Sequence, residues 1–151
     1  MNSKQISLLA ALLAANVDYA VVGGVAVNVH GYVRATNDLD IFIRPTEENA
    51  RAAFNALQTL GVPLEGLGPM DLLDDEANLR FGPDEDHVDI LASIGEMSFD
   101  QVWRNRIEAP VDGLAIPFIS KSDLIENKQQ TGRLRDLADV EELTHIPDEE
   151  S

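Results

Sequence analysis

The chain has 151 residues, no cysteine and a formal net charge of −16, with 27 Asp and Glu against 11 Lys and Arg. That is the length of one domain with a real core, and it excludes disulfides and thiolate metal sites. An acidic field of this size opposes long nucleic acid unless metal or a local basic patch intervenes.

No apolar run reaches membrane-spanning length, and the start lacks a signal-peptide cleavage pattern, so a cytoplasmic protein with no membrane partner is expected. From Ser3 to Ala15 the apolar residues Ile6, Leu8, Leu9, Leu12 and Leu13 form a helical stripe. Val17 to Val22 reads as the first strand, and Gly23-Gly24 turns it into a short helix from Val25 to Gly31. An ordinary tight turn is the alternative meaning of this Gly-Gly pair; as a binding feature, it lets a phosphate approach the backbone. Arg34 to Asn37 is a loop feeding a strand that carries Asp38-Leu39-Asp40 and ends at Pro45.

Strand side chains alternate, so Asp38 and Asp40 share one face. Two acids so placed repel each other, and a cation between them relieves this; a polar strand edge with two solvated acids is the alternative. Thr46-Glu47-Glu48 marks a helix start, and Gly61 suits its C-cap. Val62 to Asp86 reads mostly as loop, with a helical turn within Asp71 to Glu76 and a short strand within Asn78 to Phe81. His87 to Ala92 is a strand with Val88 and Ile90 on one face and His87, Asp89 and Leu91 on the other. Ser98 to Asn105 is a helix, and Val111-Asp112-Gly113 turns a hairpin between Ile107 to Ala109 and Leu114 to Ile119. A capping box at Ser120 to Asp123 opens a helix to Thr131, Gly132 interrupts it, and a second helix runs to Leu143. One domain over 1–146 is expected, with a frayed acidic tail at 147–151.

The acids are uneven: Glu65 to Asp100 holds eleven of them and one base, Arg80, whereas Lys121, Lys128, Arg133 and Arg135 fall within fifteen residues. Salt bridges such as Arg135 to Asp139 on a solvated face are the plain reading of that basic cluster. A functional reading makes Lys128 a phosphate-facing cation, with Arg34, Arg133 and Arg135 near it and the acids other than Asp89 turned away. On that reading Lys128→Ala leaves the fold intact. Gly23-Gly24 without Gly-Lys-Ser/Thr is not a P-loop, and no G-x-S-x-G hydrolase motif is present.

Gly23-Gly24, Arg34-Ala35-Thr36, Asp38-Leu39-Asp40, Asp89-Ile90-Leu91 and Lys128-x4-Arg133-x-Arg135-Asp136 together resemble the nucleotidyltransferase-fold superfamily. The order and spacing are similar to those of its small stand-alone bacterial members, relatives of the toxins in abortive-infection toxin–antitoxin pairs. The resemblance covers Val17 to Leu143 and implies an α/β (α+β) fold, a small mixed sheet flanked by helices. It also implies nucleotidyl transfer from a nucleoside triphosphate, with Asp38, Asp40 and Asp89 as catalytic metal ligands for Mg²⁺ or Mn²⁺ and Lys128 on the phosphates. Gly23, Gly24, Arg34, Thr36, Lys128 and Asp136 would bind nucleotide. The acceptor (RNA, protein or small molecule) stays open, as does an antitoxin partner, and the alternative is a catalytically idle domain that binds nucleotide or protein. Gly24 stands where a serine is frequent in this superfamily, so backbone N–H groups must serve without that hydroxyl.

Overall fold

A computed structural model describes residues 1–32, 36–75 and 78–147; Arg34 and the tail beyond Pro147 lie outside them. The order is α1 (Ser3–Ala14), β1 (Tyr19–Val22), α2 (Gly23–Val29), β2 (Leu39–Ile43), α3 (Glu47–Thr59), a 3₁₀ turn (Pro69–Leu73) and β3 (Leu79–Phe81). Then come β4 (Val88–Leu91), α4 (Phe99–Asn105), β5 (Ile107–Val111), β6 (Leu114–Phe118), α5 (Lys121–Thr131) and α6 (Leu134–His145).

The strands form one mixed sheet in the order β3-β4-β2-β1-β6-β5. β2 runs parallel to β4, and β1 parallel to β6; β1–β2, β3–β4 and β5–β6 are antiparallel. The central strands β1 and β2 are apolar and almost wholly buried, and Tyr19, Ile41, Phe42 and Ile43 anchor the core with Leu9, Leu12 and Phe118. The mixed sheet with flanking helices is the architecture expected from the sequence. Among the described residues no helix is long and apolar enough to cross a membrane.

Local chemistry sets the boundaries. Asn2 and Gln5 cap α1 reciprocally: Gln5 N–H donates to Asn2 Oδ1 at 2.9 Å and Asn2 N–H to Gln5 Oε1 at 3.1 Å. Gly23, at φ +68°, turns the chain so sharply that α2 begins on the two glycines rather than after them. Gly132, also left-handed at φ +67°, closes α5 and sends α6 off on a new axis. At the start of α5, Ser120 accepts the Asp123 N–H, as expected. The Asp123 carboxylate instead receives Gln101 and Asn105 of α4 at 2.9 and 3.1 Å, tying α4 to α5.

Asn49 joins α3 to the sheet. Its amide donates to the carbonyls of Asp18 and Arg44 at 2.9 and 3.0 Å and accepts the Asp18 N–H at 2.8 Å, in a buried position. Asn49→Ala would leave the Asp18 N–H without a partner and take one of two donors from each of the Asp18 and Arg44 carbonyls, and we expect a loss of about 2 kcal/mol in urea denaturation. A loss below ~0.5 kcal/mol would mean that water replaces the amide.

Candidate functional site

The parallel pairing of β2 with β4 puts Asp40 directly opposite Asp89, and Asp38 follows one alternation earlier on the same face. On the other side of β2, Asp40 pairs with Val22, where β1 gives way to Gly23. A Cβ on Gly23 would overlap the Asp40 carboxylate, and one on Gly24 would lie 2.7 Å from Thr36 Oγ1. The glycines therefore admit two of the site's own polar groups. Thr36 brings a hydroxyl to the position from which a serine at 24 would project.

The cleft on this face has a volume of about 410 Å³ and is lined by Gly23, Gly24, Thr36, Asp38, Asp40, Asp89, Lys128 and Asp136, among others. Thus the structure gathers every described residue singled out from the sequence. Among the described residues, four Lys and Arg line it (Arg80, Lys128, Arg133 and Arg135) with four acids, and Asp89 is the only acid of the Glu65–Asp100 stretch in that lining. Two larger hollows, of about 560 and 690 Å³, lie at Lys121–Glu108 and beside α1, and neither lining brings carboxylates together in this way.

Asp40 is raised to about 6, first by burial, then by the charges of Asp89 and Asp38 and a hydrogen bond shared with Asp89. Asp89 is held from two sides. Arg80 of β3, its direct cross-strand partner, donates from Nε and NH2 to the two carboxylate oxygens at 2.8 and 3.1 Å. His87 stands between acids, Nδ1 at 3.2 Å from Asp38 and Nε2 at 3.5 Å from Asp89. Gln5 steadies the approach to β2 by donating to the Asn37 carbonyl at 2.7 Å.

Arg80, His87 and Gln5 escaped the sequence reading as site residues. Arg80 did leave a signal, being the only Lys or Arg among eleven acids and flanked in its strand by Leu79 and Phe81. Asp38, Asp40 and Asp89 line one cleft, and carboxylate oxygens are the donor type that suits Mg²⁺ or Mn²⁺. Among the described residues, no three Asp, Glu or His groups stand ready in ligating geometry.

Lys128 faces the cleft from α5, but buried and paired. It donates to Asp136 at 3.0 Å and to Asp139 at 2.9 Å, both on α6 and both buried. Burial pushes Asp136 up, but hydrogen bonds from Thr131, Lys128 and Arg133 outweigh it and hold this carboxyl at about 2. Lys128 thus locks α5 to α6, and the expectation that Lys128→Ala spares the fold has to be revised. Two buried carboxylates would lose their shared cation.

A family model described as nucleotidyltransferase of unknown function (DUF6036) matches residues 4–147. No curated protein matches the sequence. Among solved structures, the chain is similar to the lincosamide antibiotic adenylyltransferase LnuA with lincomycin bound, at TM-score 0.63 and 16% identity, over 97% of this chain and 98% of that one. It is also similar to a Thermotoga maritima protein assigned to the nucleotidyltransferases, at TM-score 0.62 and 15% identity over 95% and 91% of the two chains. The antibiotic-resistance factor ANT(2'')-Ia gives TM-score 0.59 and 15% identity over 95% and 84%. At these identities the likeness speaks to the fold.

Two measurements check the site. A carboxyl whose folded value lies above its unfolded one contributes stability below the unfolded value, near 3.8, and loses it as pH rises through about 6. Without metal, Asp40→Asn should therefore melt higher than the parent at pH 8, by on the order of 5 °C, and no higher at pH 4. Lys128→Ala should cost about 3–5 kcal/mol in urea denaturation; retention of full stability would show that the two acids find other partners.

Proposed function

The chain belongs to the nucleotidyltransferase family DUF6036, and we propose that it moves a nucleoside monophosphate from a nucleoside triphosphate to a small hydroxyl-bearing acceptor with a divalent cation. The observation that carries this reading is the pairing of Asp40 with Asp89 across adjacent parallel strands, beside Gly23 and facing a cluster of basic side chains.

Asp38, Asp40 and Asp89 would hold Mg²⁺ or Mn²⁺. When bound, such a cation neutralises phosphate charge and favours attack at the α-phosphorus. The chain's own residues supply the rest. Gly23 and Gly24 keep side chains away from the triphosphate, and the Thr36 hydroxyl offers it a hydrogen bond. Arg133 and Arg135 line the cleft, and Arg34, which lies outside the described residues, is proposed to bind nucleotide. Lys128 and Asp136 set the far wall, where the Lys128 ammonium, bonded to Asp136 and Asp139, adds positive charge on the side of the phosphates. In the transfer, the acceptor oxygen bonds to the α-phosphorus and the α–β bridging bond breaks. Pyrophosphate leaves, and the hydroxyl proton passes to Asp89. One domain over 1–146 suffices for these parts, and the cytoplasm supplies the nucleotide.

Charge favours a small acceptor. The chain carries −16, and the described residues of its cleft set four bases against four acids, so little attraction is left for a polyanion. The similarity to a lincosamide antibiotic adenylyltransferase supports the same reading.

Purified protein should be incubated with Mg²⁺ or Mn²⁺, each labelled nucleoside triphosphate, and in turn a panel of hydroxylated small molecules, tRNA and cell extract. Metal-dependent transfer to a small molecule, lost in Asp40→Asn, is the expected result. Labelled tRNA, with affinity falling steeply as salt rises, would replace this acceptor by RNA and favour the toxin role with its antitoxin partner. Metal-dependent nucleotide binding with no transfer to any acceptor would leave an idle binding domain.

A further inference from the structure

We propose, on the metal-dependent reading above, that Arg80 is an exchangeable partner of Asp89: it neutralises this carboxylate until a divalent cation takes it, then turns its guanidinium onto the triphosphate. A carboxylate offers about four lone-pair positions. At Asp89 two receive Arg80 and another is shared with Asp40, while His87 Nε2 stands 3.5 Å from the oxygen that takes NH2. A cation reaching Asp89 must displace one of these groups.

Asp40 is itself a ligand in this reading, and the His87 side chain is largely enclosed at 13% exposure. Arg80 is the group free to yield. Its side chain is 64% exposed, and it projects from a three-residue strand at the edge of the sheet, held on one side only.

Electrostatics drives the exchange in that direction. A guanidinium stays charged at any working pH, so it is repelled once a divalent ion shares its carboxylate. Arg80 and the glycines line one cleft, and the anion that enters there with the cation is the triphosphate. A planar fork of N–H donors suits phosphate oxygens as well as it suits a carboxylate.

The test is Mn²⁺ titration followed by electron paramagnetic resonance, on the full chain and on Arg80→Gln and Arg80→Lys. Thermal unfolding serves as the check that each variant is folded. Arg80→Gln should bind Mn²⁺ roughly tenfold more tightly than the parent. At saturating Mn²⁺ it should bind a non-hydrolysable nucleoside triphosphate analogue roughly tenfold more weakly, with Arg80→Lys between the two. Mn²⁺ affinity that is unchanged or weaker in Arg80→Gln overturns the exchange, because Arg80 would then be indifferent to the cation or help to build its site. Unchanged analogue affinity overturns the transfer to phosphate. Failure of the parent chain itself to bind Mn²⁺ would instead remove the metal-dependent reading on which the exchange rests.

Discussion

Two carboxylates side by side at the centre of a buried sheet are the constraint around which the rest is arranged. At an effective dielectric of about 20, like charges ~4 Å apart repel by roughly 4 kcal/mol. The parallel register of β2 and β4 imposes that neighbourhood on Asp40 and Asp89, and Asp38 adds a third charge. The protein answers with a raised proton affinity at Asp40, the Arg80 fork on Asp89, and His87 between the outer two acids. Gly23 is part of the same answer, since any side chain there would push Asp40 away.

A second polar cluster faces the first across the cleft and is balanced differently. Lys128 and Arg133 meet Asp136 and Asp139, charge for charge, in a well hydrogen-bonded arrangement that fixes α6 to α5. Among the described residues the carboxylates on the sheet have no such balance, with three acids for one arginine and one histidine. Of the two walls as described, the sheet side is the one with charge in excess to attract a cation. The helix side is already satisfied and serves as a rigid boundary. On the proposed reading, an acidic chain takes in an anionic nucleotide because basic side chains line the cleft and a divalent cation would shift the local sum to positive.

The fold stabilises this arrangement at a distance. Gln5, fixed by its part in the α1 cap, reaches the loop ahead of Asp38. Arg44, at the far end of β2, pairs with Asp18 and Asp100 and lies over the rings of Phe99 and Trp103. Both ends of the strand that carries the acids are therefore tethered by side chains from other elements, which keeps the carboxylates from drifting apart to relieve their repulsion.

What the sequence determined by itself is what depends on local periodicity. A strand alternates every two residues, so Asp38 and Asp40 had to share a face, and so did His87 and Asp89. A residue that readily takes positive φ was needed to end α5, and Gly132 was legible for that reason. Cap residues such as Thr46 and Ser120 announced helix starts through hydrogen bonds only three residues long. Tertiary structure alone decided the pairings between segments. Arg80 meets Asp89 because β3 runs antiparallel to β4 in one particular register. Lys128 is buried because α6 turns back over α5, and the same cation on a straight helix would have stayed in water. Charge, unlike periodicity, acts through space, so which opposite charges neutralise one another was settled only when the sheet closed and the last two helices packed.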